Sequence, residues 1–158
     1  MKHLLLILLV SVTALSACKK EPSYDPYKQL AADELLIQDF IAKNNIPAVR
    51  HESGLYYQII APGSGNITYT TATQVTAKYE GRLLNGQVFD NGGGNPATFP
   101  LGGVIGGWQI GVPLIQKNGK IRLLIPSGYA YGPNAQRGIP ANSILDFDVE
   151  LVDVQNQN

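Results

Sequence analysis

The chain is poor in the residues that most enzymes use for bond-making. Its 158 residues include one cysteine, one methionine, one tryptophan and two histidines. A single cysteine, Cys18, leaves no partner for an intrachain disulfide. Histidine and cysteine are too scarce for a zinc site, and no metal is expected. A Ser-His-Asp or Cys-His engine would have to run through His51, because His3 lies in the leader. His51 sits in the polar stretch "VRHESG", and no G-x-S-x-G elbow occurs anywhere. The glycine run "NGGGN" at 91–95 lacks a following G-K-[ST] and reads as a loop, not a phosphate cradle. Charge of one sign is also missing: 12 Lys and Arg face 12 Asp and Glu. Without a basic field, a nucleic-acid partner is not expected. Together these absences argue against a cofactor.

What is present falls into four segments. "MKHLLLILLVSVTALSAC" has a short basic start, an apolar run from Leu4 to Val10 and small residues before Cys18. Residues 1–17 read as a signal peptide, too short to span a bilayer stably. The ending "LSAC" resembles a bacterial lipobox, which implies cleavage before Cys18 and lipid on that residue. Lipidation would also explain a lone thiol in an exported protein. Lys19 follows in place of aspartate, and in lipoprotein sorting that implies the outer membrane, facing the periplasm or the cell surface. Residues 18–26 are polar with two prolines and read as a tether. Residues 27–52 hold an amphipathic helix over about 27–45 and a linker. Leu30, Ile37, Phe40 and Ile41 fall at helical spacing, Leu36 pairs with Phe40, and Asp33 and Glu34 lie early enough to suit the helix dipole.

Residues 53–158 form the main domain. "GLYYQII", "QVTAKYEGRL", "LNGQVF", "KIRLLIP" and "ILDFDVELVDV" read as strands, with Asn85-Gly86 as a hairpin turn of two positive-φ residues. Ile144, Phe147, Val149, Leu151 and Val154 are expected on the buried side of the last strand, with Asp146 and Asp148 facing solvent. The one helical candidate in this half is "GWQIGVPLI". The fold class is therefore α+β: antiparallel strands around one short helix, preceded by the N-terminal helix. The chemistry left to this domain is an aromatic set, Tyr79, Phe89, Phe99, Trp108, Tyr129, Tyr131 and Phe147.

The order of four segments, "AKYEGRLLNGQVFDN", "FPLGGVIGGWQIGV", "GKIRLLIPSGYAYG" and "GIPANSILDFDVEL", resembles the FKBP-type peptidyl-prolyl isomerases over residues 53 to 154. The resemblance implies a half-wrapped antiparallel sheet of about five strands with the short helix in its concavity. It also implies a cleft for a proline ring. Carried over by motif, Tyr79, Phe89, Asp90, Tyr131 and Phe147 would be catalytic. Val104, Ile105, Trp108, Ile139 and Phe99 would bind substrate, with Trp108 as the floor. The partners implied are proline-containing chains, macrolide ligands, and a membrane through the lipid on Cys18. Two departures stand out. "LGGVIGGW" is two residues shorter than in the best-known members, and Ala97 replaces an aromatic, which reduces one wall. The loop from Tyr131 to Ile139 is too short for an inserted domain.

An isomerase needs no nucleophile. The barrier is the roughly 18–20 kcal/mol of amide double-bond character, and an apolar cleft penalises the planar, more dipolar ground state. The glycines flanking Trp108 are expected to allow a tight turn and to leave the indole face uncovered. Asp90 has two open roles: orienting Tyr79 by a hydrogen bond, or polarising the substrate carbonyl. The alternative reading of the whole is a non-catalytic proline-binding module or holdase.

Overall fold

The computed structural model describes residues 24–156; the signal peptide and residues 18–23 of the expected tether, Cys18 included, lie outside the described residues. The first element is α1, Pro26–Asn44. Asp25 caps it, accepting from the Tyr27 and Lys28 amides, and Pro26 takes the first helical position. Asn45 closes it in the left-handed conformation at φ 53°. Asp33 and Glu34 therefore lie well inside the helix, and Asp25 serves the N-terminus in their place.

Seven strands follow in one sheet: β1 (Val49–Arg50), β2 (Tyr56–Ala61), β3 (Gln74–Leu83), β4 (Val88–Asp90), β5 (Ala97–Pro100), β6 (Lys120–Ile125) and β7 (Leu145–Gln155). Every pairing is antiparallel, and the order is β1-β2-β6-β7-β3-β4, with β5 also on β3. The five expected strands correspond to β2, β3, β4, β6 and β7. The two additions, β1 and β5, are two and four residues long, too short to carry a period-2 signal. The turn into β4 runs over residues 84–87, with the Gly86 amide on the Leu83 carbonyl at 2.9 Å. Only Gly86 has positive φ there, at 87°. Asn85 instead accepts the Gln87 amide on its side chain, so the expected pair of positive-φ residues is replaced by one.

Strand β3 is central to the site. Its inner neighbour is β7, with Tyr79 opposite Val149 and Gly81 opposite Phe147. Its outer neighbour is broken: β5 pairs with 74–77 and β4 with 81–82. Among the described residues, no strand flanks residues 78–80 on that side.

The short helix α2, Gly106–Gly111, lies in the concavity, as the resemblance implied. Its glycines are there for a different reason from the one expected. Neither a positive φ nor an uncovered indole is involved; Trp108 is only 4% exposed. A methyl at Gly107 would overlap the Ile125 side chain, and one at Gly111 would overlap Leu123. Bare backbone lets α2 press onto β6, and that contact sets the depth of Trp108.

Alternation divides the sheet residues between two faces. Ile121, Leu123, Ile125, Leu145, Phe147, Val149 and Leu151 join Trp108 and Val112 in the concave core. Ile144 faces the other way, packing with Ile37, Tyr56 and Leu124 under α1, so Leu145 takes the place expected for Ile144. Asp146 is likewise not at the solvent. It is 2% exposed and accepts from Arg122 at 2.9 and 2.8 Å and from Arg82 at 3.3 Å. Those hydrogen bonds, working against desolvation, hold the Arg122 pKa above its ordinary value. The Arg122 guanidinium lies 6.0 Å from the Phe40 ring centre on α1. Leu36, expected to pair with Phe40, is 56% exposed instead. No helix among the described residues is long and apolar enough to cross a membrane.

Candidate functional site

A cleft of about 290 Å³ opens on the concave side, at the small end of ligand pockets. Strand β3 gives it Tyr79, β4 gives Phe89 and Asp90, β5 gives Phe99, and β7 gives Phe147. The segment leading into α2 adds Gly103, Val104 and Ile105; α2 itself supplies Trp108, and the loop after β6 supplies Tyr131. The missing outer partner of 78–80 is what lets residues from β4 and β5 meet beside Tyr79.

The rings are arranged around the indole. Tyr79, Phe147 and Phe99 meet Trp108 with centroids at 5.3, 5.5 and 6.1 Å and planes at 86°, 84° and 85°. These are edge-to-face contacts, the geometry favoured by ring quadrupoles. Phe89 meets Phe147 in the same way, at 5.5 Å and 83°. Trp108 Nε1 is the one buried side-chain polar atom without a hydrogen-bond partner among the described residues.

Polar groups are few. The Tyr79 hydroxyl donates to Asp90 Oδ2 at 2.9 Å, and Asp90 Oδ1 accepts the Gly92 amide at 3.0 Å. Asp90 is exposed and Tyr79 half-buried. Desolvation, reinforced by the Asp90 hydrogen bond and charge, pushes the Tyr79 pKa up to about 12. Tyr131 stands at the rim, 38% exposed. No cluster of metal-ligating side chains occurs among the described residues.

Of the residues anticipated for the site, all but Ile139 line this cleft. Ile139 is 6% exposed and belongs to the core. Its accessible surroundings are a separate surface depression with Gln87, Gln136 and Pro140. Its flap approaches the aromatic group through Gly138, whose missing Cβ would lie 3.9 Å from Phe89 Cβ. His51 does not line the cleft; its Nδ1 lies 3.0 Å from Ser53 Oγ, and its ring stands edge-on to Tyr57. Ala97, where an aromatic wall was judged to be missing, pairs with Ala77 across β5 and β3 and does not line the cleft.

Two contributors escaped the sequence reading. Gly103 lines the mouth. Gly81 lies beneath Phe147 and Phe89: a Cβ there would stand 2.5 Å from Phe147 Cε1 and 2.6 Å from Phe89 Cζ. The signal for it was a glycine inside a strand, which marks a close approach.

Comparison with known proteins gives one family. FKBP-type peptidyl-prolyl cis-trans isomerase matches residues 65–152, which is more than half of the chain. The FKBP-type peptidyl-prolyl cis-trans isomerase FkpA of Buchnera aphidicola subsp. Schizaphis graminum is 39% identical over 143 residues, covering 89% of this chain and 56% of that protein. FkpA of Escherichia coli K12 is 47% identical over 105 residues, covering 65% of this chain and 38% of the relative. The crystal structure of FkpA from Escherichia coli superposes with a TM-score of 0.71 at 39% identity, covering 82% of this chain and 62% of that one. The chain thus spans about half the length of the curated relatives it matches, or less.

Proposed function

Since the chain belongs to the FKBP-type peptidyl-prolyl cis-trans isomerase family, we propose that it catalyses cis-trans rotation about X-Pro bonds and assists the folding of exported proteins. The observation that carries the proposal is the cleft itself. Six aromatic side chains and an aliphatic pair, Val104 and Ile105, surround a space of about 290 Å³, ample for a proline ring. Its only ionisable groups are Tyr79, Asp90 and Tyr131. Rotation breaks no bond to carbon, so a site without a nucleophile suits it.

The planar amide carries more charge separation than the twisted one. Taking it out of water into the space over Trp108 raises the ground state relative to the transition state. Phe89, Phe99, Phe147 and Trp108 hold the ring and exclude water. The Tyr131 hydroxyl at the rim and the Ile105 backbone N–H are the candidates to position substrate carbonyls. Asp90 acts on Tyr79, fixing the phenol by the hydrogen bond it accepts. A ten-thousandfold acceleration requires about 5.4 kcal/mol, within reach of desolvation and positioning together.

The test is proline isomerisation in a short peptide, followed by NMR exchange with the full chain. Acceleration that is flat between about pH 6 and about pH 8 and insensitive to His51→Ala is expected, because no histidine lines the cleft. Binding of the peptide with no acceleration would replace the isomerase with a holdase. Macrolide ligands are expected to compete for the same space.

The location of the activity is part of the proposal. "LSAC" after an apolar leader supports lipid on Cys18, and Lys19 supports the outer membrane. Metabolic labelling with a fatty acid should mark the wild type and not Cys18→Ala; equal labelling would refute the anchor.

A further inference from the structure

The turn that leads from β6 to Tyr131 is held from outside the domain. Its first residue, Ser127, is fully buried, and so is Asp33 in the middle of α1. Asp33 Oδ2 accepts the Ser127 backbone N–H at 2.7 Å and the Ser127 hydroxyl at 2.6 Å. Its other oxygen accepts the Gln29 side-chain amide at 2.7 Å. No cation pairs with it among the described residues. A carboxylate buried this way is expensive unless its hydrogen bonds are kept, so the helix and the turn are fixed to each other.

What the turn carries gives this a functional side. The Ser127 carbonyl accepts the amides of Ala130 and Gly132 at 3.0 and 2.9 Å, which brackets Tyr131. Tyr129, two residues along, donates its hydroxyl to the Ser53 carbonyl at 3.0 Å. Its ring and backbone pack beside Gly106, where a Cβ would sit 3.5 Å away, at the start of the helix that bears Trp108. Simple attachment of α1 to the sheet would need none of this. Ile37, with Tyr56, Leu124 and Ile144, already supplies an apolar contact.

We propose that Asp33 is a positioning residue for the cleft: through Ser127 it sets where Tyr131 stands, so the N-terminal helix shapes catalysis as well as packing on the domain. The inference rests on the isomerase reading of the cleft, and the test separates the two. The full chain is labelled with fluorotyrosine, and the Tyr131 resonance is assigned by Tyr131→Phe. Asp33→Asn keeps the shape but removes the charge and one of the two accepting oxygens, leaving an NH2 group to face the Gln29 or the Ser127 donors. Ser127→Ala removes one donor while keeping the backbone bond, and serves if Asp33→Asn is poorly folded. Ile37→Ala is the control, weakening the same helix contact without touching Ser127.

At a temperature where all variants are folded, Asp33→Asn should shift the Tyr131 resonance and lower kcat/KM about fivefold. Ile37→Ala should do neither. In the Tyr131→Phe background, Asp33→Asn should add little further loss, since both act on one group. An unmoved Tyr131 resonance in Asp33→Asn, equal effects from Ile37→Ala, or additive losses in the double variant would each overturn the inference. A wild type that fails to accelerate isomerisation would instead overturn the isomerase reading, and the resonance would still report whether Asp33 holds the turn.

Discussion

Asp146 and Phe147 are neighbours on β7, and they belong to different worlds. Phe147 points into the concave face, meets Trp108 and Phe89 edge-on, and lines the cleft. Asp146 points to the convex face, where Arg82 and Arg122 surround it beneath α1. One face is apolar and open to a ligand; the other sets ion pairs beside an apolar cluster and is closed by a helix. A strand gives each of its faces half of its residues, so a single sheet can separate stability from chemistry. Removing one member of the ionic group leaves charge beneath the helix unpaired. The aromatic side tolerates an opening, because apolar surface exposed to a ligand leaves no orphaned charge.

The sharpest test of that division is to cut each face at β7. Phe147→Ala removes a ring that is both core and cleft wall. It should lower stability by about 3–4 kcal/mol and kcat/KM by roughly tenfold or more. Denaturant unfolding and NMR exchange read the two effects. Asp146→Ala should lower stability by about 2–3 kcal/mol, less than a fully buried pair because both arginines are partly exposed. At a temperature where it is folded, its kcat/KM should match the wild type. Loss of activity in folded Asp146→Ala would mean the faces are coupled more widely than through Ser127.

The concave face was the more legible of the two. Its residues fall in motifs whose order is family-specific, so Tyr79, Phe89, Trp108 and Phe147 could be named together without coordinates. Ile139 was misplaced because a motif gives adjacency in sequence, and its side chain turns into the core. Spacing alone misread the glycines beside Trp108: only the closeness of Ile125 and Leu123 explains them. The convex face was nearly illegible. Alternating acids on a final strand look solvated, and nothing in "ILDFDVEL" reveals a helix overhead with arginines beneath it. Asp33 was hidden for the same reason, since a mid-helix acid has no local mark of burial and its partner lies 94 residues away. The strands β1 and β5 are set by pairing with neighbours, and carry no pattern of their own.

A subtler test stays on the concave side. Gly81→Ala adds one methyl where Phe147 and Phe89 converge. The rings must move outward, which should lower stability by about 1–3 kcal/mol. The same movement narrows the cleft, so KM should rise more than kcat falls. A Gly81→Ala variant with unchanged KM would show that the rings have room the packing does not suggest.

The smallest effect concerns the only hydrogen-bonded acid at the cleft. Tyr79 and Tyr69 are both raised to about 12, for reasons that differ. Burial alone raises Tyr69, whereas Tyr79 has burial first and then the Asp90 hydrogen bond and charge. A phenol is neutral when protonated, so a raised folded pKa favours the folded state below the unfolded value of about 10. That contribution is lost as pH climbs from about 10 toward 12, well above the working range. Asp90→Asn should move the Tyr79 titration partway back toward 10, leaving the desolvation share in place, while Tyr69 stays unmoved as an internal reference. NMR titration of the two ring signals measures this directly. If Asp90 only orients the phenol, kcat/KM should fall by no more than a few-fold, since the asparagine carbonyl still accepts from Tyr79. A collapse in rate with Tyr79 still ordered would instead place the Asp90 charge on the substrate carbonyl, and the concave face would then hold an electrostatic device of its own.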